Sequence, residues 1–208
     1  MKCGDTSREN NTYIISDTIA ASSSCQYTIC PCTKNVCRIK FQFDDLTLAA
    51  PTVATAGASV ANTGASVGAC NTDSMMISGG TGNGSPIICG DNTGQHMILD
   101  SDGNGDTCHD VNLNFGAGNA ARSYSIRVTQ YDCVDMTALE NTAGPKGCLQ
   151  YHLGDMNGAG NLDNFGYVGT PPANEAIGNT VTHLQDQNYK ICMRYIDTSC
   201  LNLKCFSF

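Results

Sequence analysis

Apolar and polar residues alternate with a period of two along much of the chain. Ile39, Phe41 and Phe43 fall on one face of such a segment, which is the pattern of a half-buried strand. The same alternation predicts further strands at Gln26–Ile29, Ser74–Ile77, Val111–Phe115, Tyr124–Tyr131, Tyr189–Tyr195 and Leu201–Phe206. Clusters of Gly, Asn and Asp separate these segments, and Val134–Glu140 is the one helical candidate. The pattern therefore predicts an all-β, antiparallel sandwich.

A loose internal repeat predicts two units of unequal size. Cys25 opens the phrase Cys-Gln-Tyr-Thr-Ile, and Cys192 opens the similar phrase Cys-Met-Arg-Tyr-Ile. A second cysteine and an alternating strand follow each phrase, and Gly144-Pro145 marks a break between the two copies. We expect a first domain at residues 1–134, a linker at 135–147 and a smaller, incomplete β domain at 148–208.

Composition predicts a secreted, extracellular protein. The 208 residues include 13 cysteines but no Cys-x-x-Cys pair, which favours disulfides in an oxidising compartment over zinc. The net charge is −8 and no Lys/Arg cluster occurs, which speaks against binding to nucleic acid or an anionic membrane. The uncharged stretch Leu46–Thr72 lacks the roughly 20 apolar residues of a membrane span. No apolar run stands at the N-terminus, so we expect that a signal sequence has been removed.

The order of the cysteine motifs resembles that of a CUB domain. Cys3 and Cys25 open the chain, and the phrase Cys70-Asn-Thr-Asp73 is followed by Ile88-Cys89-Gly90. Four phrases are similar to those of secreted arthropod CUB proteins: Val36-Cys37-Arg-Ile-Lys-Phe, Cys89-Gly-Asp-Asn-Thr-Gly-Gln-His-Met97, Arg122-Ser-Tyr-Ser-Ile-Arg-Val-Thr-Gln-Tyr-Asp-Cys133 and Gly147-Cys-Leu-Gln-Tyr151. The resemblance covers nearly the whole chain. It implies one complete CUB domain, a jelly-roll-like antiparallel β-sandwich, followed by a partial CUB-like unit.

The resemblance also implies a disulfide framework. It pairs Cys3 with Cys25, Cys70 with Cys89 and Cys37 with Cys133, and the internal repeat adds Cys148 with Cys192. Each bridge closes a loop of about 20 residues or more, which is worth about 2–4 kcal/mol through the unfolded state. The cysteines left unassigned are Cys30, Cys32, Cys108, Cys200 and Cys205. Their number is odd, so at least one is free or bonded to another chain.

The loop 100–106 is the sharpest local signal for a metal, and it predicts a calcium site. Oxygen ligands stand at alternate positions with a glycine at the sixth, as in an EF-hand loop. The predicted ligands are Asp100, Asp102, Asn104 and Asp106. The pattern is incomplete, because Val111 stands where a bidentate Glu belongs. The alternative is a metal-free turn rich in Asp, Asn and Gly.

The resemblance implies a second calcium position. Many CUB domains hold calcium with a Glu after the Phe-rich strand, the Asp of Cys-x-x-Asp and an Asp in the last loop. Asp73 fits the second position, but the other two fall near Ala49 and Gly118, where no carboxylate stands. That site is therefore incomplete in this sequence.

No catalytic constellation is evident, so we expect a protein that is not an enzyme. The phrase Gly64-Ala-Ser-Val-Gly68 matches a hydrolase elbow, but it lies in a low-complexity loop with no helical pattern after it. The four histidines show no metal-binding spacing. The sequons at Asn10 and Asn83 predict N-glycosylation.

Two functions fit these observations. One is a structural protein that assembles with itself into a filament or matrix, and the other is a monomeric module that recognises another extracellular protein or a glycan. Assembly is favoured because an incomplete second unit cannot cover its own apolar face. Its candidate contact residues are Leu201, Leu203, Phe206 and Phe208. The alternatives are that this unit packs on its own first domain, or that the sequence is a fragment of a longer protein.

Overall fold

The computed structural model describes residues 1–52, 67–82, 84–134, 139, 142–153, 163–166, 184–196 and 201–207, with the backbone alone at 195–196 and 201–207. Within these residues the strands are β1 (Thr6–Ser7), β2 (Thr12–Ile15), β3 (Ser23–Ile29), β4 (Val36–Thr47), β5 (Ser74–Gly79), β6 (His96–Asp100), β7 (His109–Phe115), β8 (Ser123–Asp132), β9 (Gln150–Leu153), β10 (Lys190–Ile196) and β11 (Leu201–Ser207). The described part of the chain contains no helix that is long and apolar enough to cross a membrane.

The strands form two four-stranded sheets and one three-stranded sheet within the described residues. The strand order is β1-β3-β7-β5 in the first sheet and β2-β8-β4-β6 in the second. The third sheet has the order β11-β10-β9. Two of the described pairs, β1 with β3 and β9 with β10, are parallel, and the others are antiparallel. The predicted all-β, antiparallel sandwich is confirmed.

The core lies between the two four-stranded sheets. Successive side chains of a strand point to opposite faces, so one face of each strand is buried. On β4 the buried face carries Ile39, Phe41 and Phe43, as the alternation predicts. Val111 and Leu113 of β7 belong to the same buried cluster from the opposite sheet. The period-two pattern therefore identifies the residues that hold the two sheets together.

The sequence pattern does not predict β6, because this strand carries no alternation. Met97 and Leu99 belong to the sandwich core, whereas Ile98 belongs to a second cluster together with Cys148 and Tyr151. Both faces are covered, so the strand appears in the sequence as a continuous apolar run. The pattern also misses β1, β2 and β9, which have at most four residues each. The helical candidate Val134–Glu140 lies mostly outside the described residues.

The described part of 148–208 packs against the sandwich. The backbone N–H of Ile98 donates to the carbonyl of Leu149 at 2.6 Å, which places the third sheet beside β6. Phe165 and Ile191 belong to the same core cluster as the sandwich. The sequence left three possibilities for the second unit: assembly with another chain, packing on its own first domain, or a fragment of a longer protein. For the described residues, the second unit packs on its own first domain. The positions of the domain boundaries stay a prediction.

Candidate functional site

The structure contains all four disulfides that the sequence resemblance implies. They join Cys3 to Cys25, Cys37 to Cys133, Cys70 to Cys89 and Cys148 to Cys192. A fifth disulfide joins Cys30 to Cys108, which the sequence left unassigned. Cys30 follows β3 and Cys108 precedes β7, and the neighbouring Ile29 and His109 are paired across these two strands.

Three cysteines do not belong to these five disulfides. Cys32 is exposed and carries a free thiol. Cys200 lies outside the described residues, and for Cys205 the backbone alone is described. Five disulfides among the described residues indicate an oxidising compartment, and this supports an extracellular protein.

Asp73 forms a buried ion pair with Arg122 at one end of the sandwich. Arg122 donates to both carboxylate oxygens of Asp73 at 2.8 Å. The same carboxylate accepts the backbone N–H groups of Ala49 at 2.8 Å and Gly116 at 3.0 Å. Burial alone would raise the pKa of Asp73, but the bonds from Arg122, Ala49 and Gly116 lower it overall. Asp73 is therefore ionised at neutral pH, with the guanidinium of Arg122 as its partner.

This pair occupies the position where the resemblance implies an incomplete calcium site. Arg122 also donates to the carbonyl oxygens of Gly116 at 2.9 Å and Gly118 at 3.2 Å. Its guanidinium thus brings together Asp73 and the segment near Gly118 without any metal. Nothing in the sequence pattern predicts this role of Arg122, although the residue stands within one of the phrases that carry the resemblance.

The structure does not bring the predicted calcium ligands of loop 100–106 together. Both carboxylate oxygens of Asp100 are engaged, one by the Nε atom of Arg38 at 3.1 Å and the other by the N–H of Gly147 at 2.9 Å. Asp102 accepts bonds from the backbone of Asn104 and the hydroxyl of Thr107, which is the geometry of a turn. Among the described residues, no three His, Cys, Asp or Glu side chains converge to hold a metal ion.

We expect millimolar calcium to leave the melting temperature unchanged. Asp100 would have to leave Arg38 and Gly147 before it could bind a cation, and a ligand stabilises a protein only if it binds the folded state. The measurement is thermal unfolding in calcium and in a chelator. A rise in melting temperature with calcium that Asp102→Ala abolishes would contradict this expectation and restore the predicted site.

The predicted glycosylation and hydrolase motifs lie only partly within the described residues. Asn10 is exposed, and its side-chain amide bonds to the backbone of Gln130, donating at 3.1 Å and accepting at 2.7 Å. Asn83 lies outside the described residues, as do positions 64–66 of the elbow motif. Glycosylation at Asn10 and Asn83 stays a prediction.

Arg38 holds the second unit to the sandwich. Alternation predicts this β4 residue to face solvent, yet it is 2% exposed. Its guanidinium donates to the carbonyl oxygens of Gly144, Pro145 and Cys148, in addition to its ion pair with Asp100. The segment that leads into the second unit therefore covers the outer face of β4, and Arg38 satisfies its backbone carbonyls.

Two histidines lie where β6 contacts β9. The rings of His96 and His152 have their centroids 5.0 Å apart, and His96 is buried. The Nε2 atom of His96 accepts the backbone N–H of Tyr151 at 3.0 Å, which requires a neutral ring. Burial, Lys40 and His152 lower the pKa of His96 to about 3. This contact is thus formed with His96 uncharged.

β11 is the outermost strand of the third sheet. The predicted assembly residues Leu201, Leu203 and Phe206 lie in it, whereas Phe208 lies outside the described residues. β11 pairs with β10 from Leu201 opposite Ile196 to Ser207 opposite Lys190. No described strand pairs with the other side of β11.

No protein-family model and no curated protein matches the chain. Several solved structures are similar to it. Among them is the full extracellular region of zebrafish Gpr126/Adgrg6, with 18% identity and a TM-score of 0.45, covering 64% of this chain and 15% of that one. Another is the CUB1-EGF-CUB2 segment of rat MASP-1, with 15% identity and a TM-score of 0.43, covering 90% of this chain and 63% of that one. The chain spans less than two thirds of each of these two.

The fold is CUB-like. Two four-stranded sheets, antiparallel except for the short β1–β3 pair, enclose one core, and the disulfides Cys3–Cys25 and Cys70–Cys89 stand where the sequence resemblance implies them. The more specific similarity to arthropod CUB proteins stays a prediction.

Proposed function

We propose that this chain is an extracellular, non-enzymatic module that assembles with copies of itself by adding strands at β11. The observation that carries the proposal is the open edge of β11, whose seven residues pair with β10 on one side and with no described strand on the other. An open edge presents unpaired N–H and C=O groups that template pairing with another chain. Five disulfides support the extracellular setting.

The other sheet edges are short or covered. β1 has two residues, and β2 has four. On β5, Met75 exchanges two backbone hydrogen bonds with Ile88 at 2.8 and 2.9 Å. The second unit covers β6. Edges that resist pairing are often protected by charge, and β11 carries a single charged residue, Lys204.

The test is sedimentation velocity of the full chain over a range of concentrations. We expect oligomers that grow with concentration, and we expect the double variant Leu201→Lys/Leu203→Lys to sediment as a monomer. Lysines at an edge disfavour strand addition because pairing would bring like charges together. Leu153→Lys is the matched control, since Leu153 is a 58% exposed leucine on β9 of the same sheet.

Two results would contradict the proposal. A monomeric unmutated chain at the highest concentration would favour the recognition module instead. An edge variant that assembles as well as the Leu153→Lys control would show that assembly uses another surface. Peptide mapping of the five disulfides in each variant confirms that the comparison is made between folded proteins.

A further inference from the structure

A cleft of about 470 Å³ opens in the sandwich, and none of its described lining residues belongs to β11. It lies between the two sheets, because Tyr27 of β3 and Tyr124 of β8 both line it. The connection from β2 to β3 lines its mouth with Asp17, Thr18 and Ile19. Clefts of roughly 300–1,000 Å³ are the usual size for small-molecule sites.

The cleft is lined by a tyrosine pair with one hydrogen-bond donor that no described residue accepts. The hydroxyl groups of Tyr27 and Tyr124 are 2.9 Å apart, and the side chains are 2% and 4% exposed. Two hydroxyls have two hydrogens, and only one can lie in the bond between them. The pair has no other hydrogen-bond partner among the described residues. One O–H is therefore left to donate to a group inside the cleft.

Aromatic and aliphatic side chains form much of the lining, which also includes the charged residues Lys2 and Asp17. Phe115 stacks on the ring of Tyr124 with centroids 6.2 Å apart, and Tyr27 meets Tyr124 edge to face at 6.3 Å. Ile15 and Ile19 add aliphatic surface, and Ile15 is 54% exposed. An apolar wall with few polar groups is typical of ligand pockets, in which the polar groups fix the orientation of the ligand.

We propose that this cleft binds a small, uncharged, apolar molecule through one carbonyl oxygen, which accepts the free hydrogen of the Tyr27–Tyr124 pair. Burial and the bond to Tyr27 raise the pKa of Tyr124, so the Tyr124 hydroxyl stays protonated and is not a source of charge. A charged ligand group would lose its hydration without gaining a counter-ion from the tyrosine pair. The neutral carbonyl matches the single neutral donor.

The probe is benzophenone, a two-ring ketone that forms covalent bonds with nearby C–H groups on irradiation. We expect light-dependent labelling of the full chain to map to the cleft, in the peptides that contain Ile15 and Ile19. We expect about fivefold less labelling in Tyr27→Phe/Tyr124→Phe at equal probe concentration, because a net hydrogen bond is worth about 1 kcal/mol. Both partners of the bond are removed together, so no buried hydroxyl is left unpaired and the fold is retained.

Two further variants make the test specific. Ala20→Trp places a large ring among the exposed lining residues and should block labelling, whereas Tyr13→Phe removes an exposed hydroxyl that does not line the cleft and should not change it. Labelling spread over peptides outside the cleft would overturn the proposal. Equal labelling of Tyr27→Phe/Tyr124→Phe and the unmutated chain would overturn it as well.

Discussion

Acidification from pH 7 to pH 5 is expected to lower the free energy of unfolding by about 4 kcal/mol, through the buried histidines His96 and His109. The pKa of His109 is lowered to about 4, because burial outweighs the opposing effects of Asp100, Asp102 and Asp110. Its ring is fully buried, and neither nitrogen has a hydrogen-bond partner among the residues that the structure describes. The pKa of His96 is lowered to about 3, because Lys40 and His152 add to the effect of burial.

Stability falls on acidification because the pKa values of both histidines are lowered in the folded state. Both folded-state pKa values lie below the unfolded value of about 6.5, so the folded state binds fewer protons. The stabilising contribution of the two neutral rings is complete above about pH 6.5. It is lost as the pH falls towards the folded-state pKa values. At pH 5 each ring contributes a loss of about 2 kcal/mol, whereas unfolded Asp and Glu side chains are still mostly ionised.

Denaturant unfolding at a series of pH values measures this loss. His96→Gln keeps an acceptor for the N–H of Tyr151 but cannot be protonated, so it should reduce the loss to about 2 kcal/mol. Adding His109→Leu should remove most of the remainder. A loss below about 1 kcal/mol in the unmutated chain would contradict the prediction, because it would mean that both rings are protonated equally in the two states.

Arg38→Met is expected to lower the free energy of unfolding by about 3–5 kcal/mol. Met fills a similar volume but leaves the carboxylate of Asp100 without its cation. It also leaves the carbonyl oxygens of Gly144, Pro145 and Cys148 without their donor. Removing one partner of a buried ion pair is costly, because the other charge remains buried and uncompensated.

Arg127→Met is the matched control in the same sheet. Arg127 of β8 pairs with Asp44 at 3.7 Å, but the two side chains are 45% and 41% exposed. Exposed pairs contribute about 0–1 kcal/mol, so this variant should remain close to the unmutated chain. Hydrogen exchange should also rise at residues 148–153 in Arg38→Met alone, since Arg38 holds the segment that leads into the second unit. Equal effects of the two variants would contradict the role assigned to Arg38.

The amino-acid sequence by itself determined the strands with one buried face. β3, β4, β5, β7 and β8 each contain a predicted segment, because side chains on a pleated strand alternate between the core and the outside. The cysteine phrases also pointed to four of the disulfides in the structure, since their order along the chain is characteristic enough to reveal the resemblance.

Only the tertiary structure decided what covers the outer faces of the strands. Arg38 and Ile98 lie on the outside of the second sheet, yet both are buried, because the second unit packs there. Asp73 finds its partner Arg122 through a contact between residues 49 positions apart, and Asp100 of β6 forms an ion pair with Arg38 of the neighbouring strand β4. Cys30 and Cys108 likewise meet because β3 and β7 are neighbours. A periodic pattern shows whether one face of a strand is buried. It does not show which segment covers that face, because the covering segment lies far away along the chain.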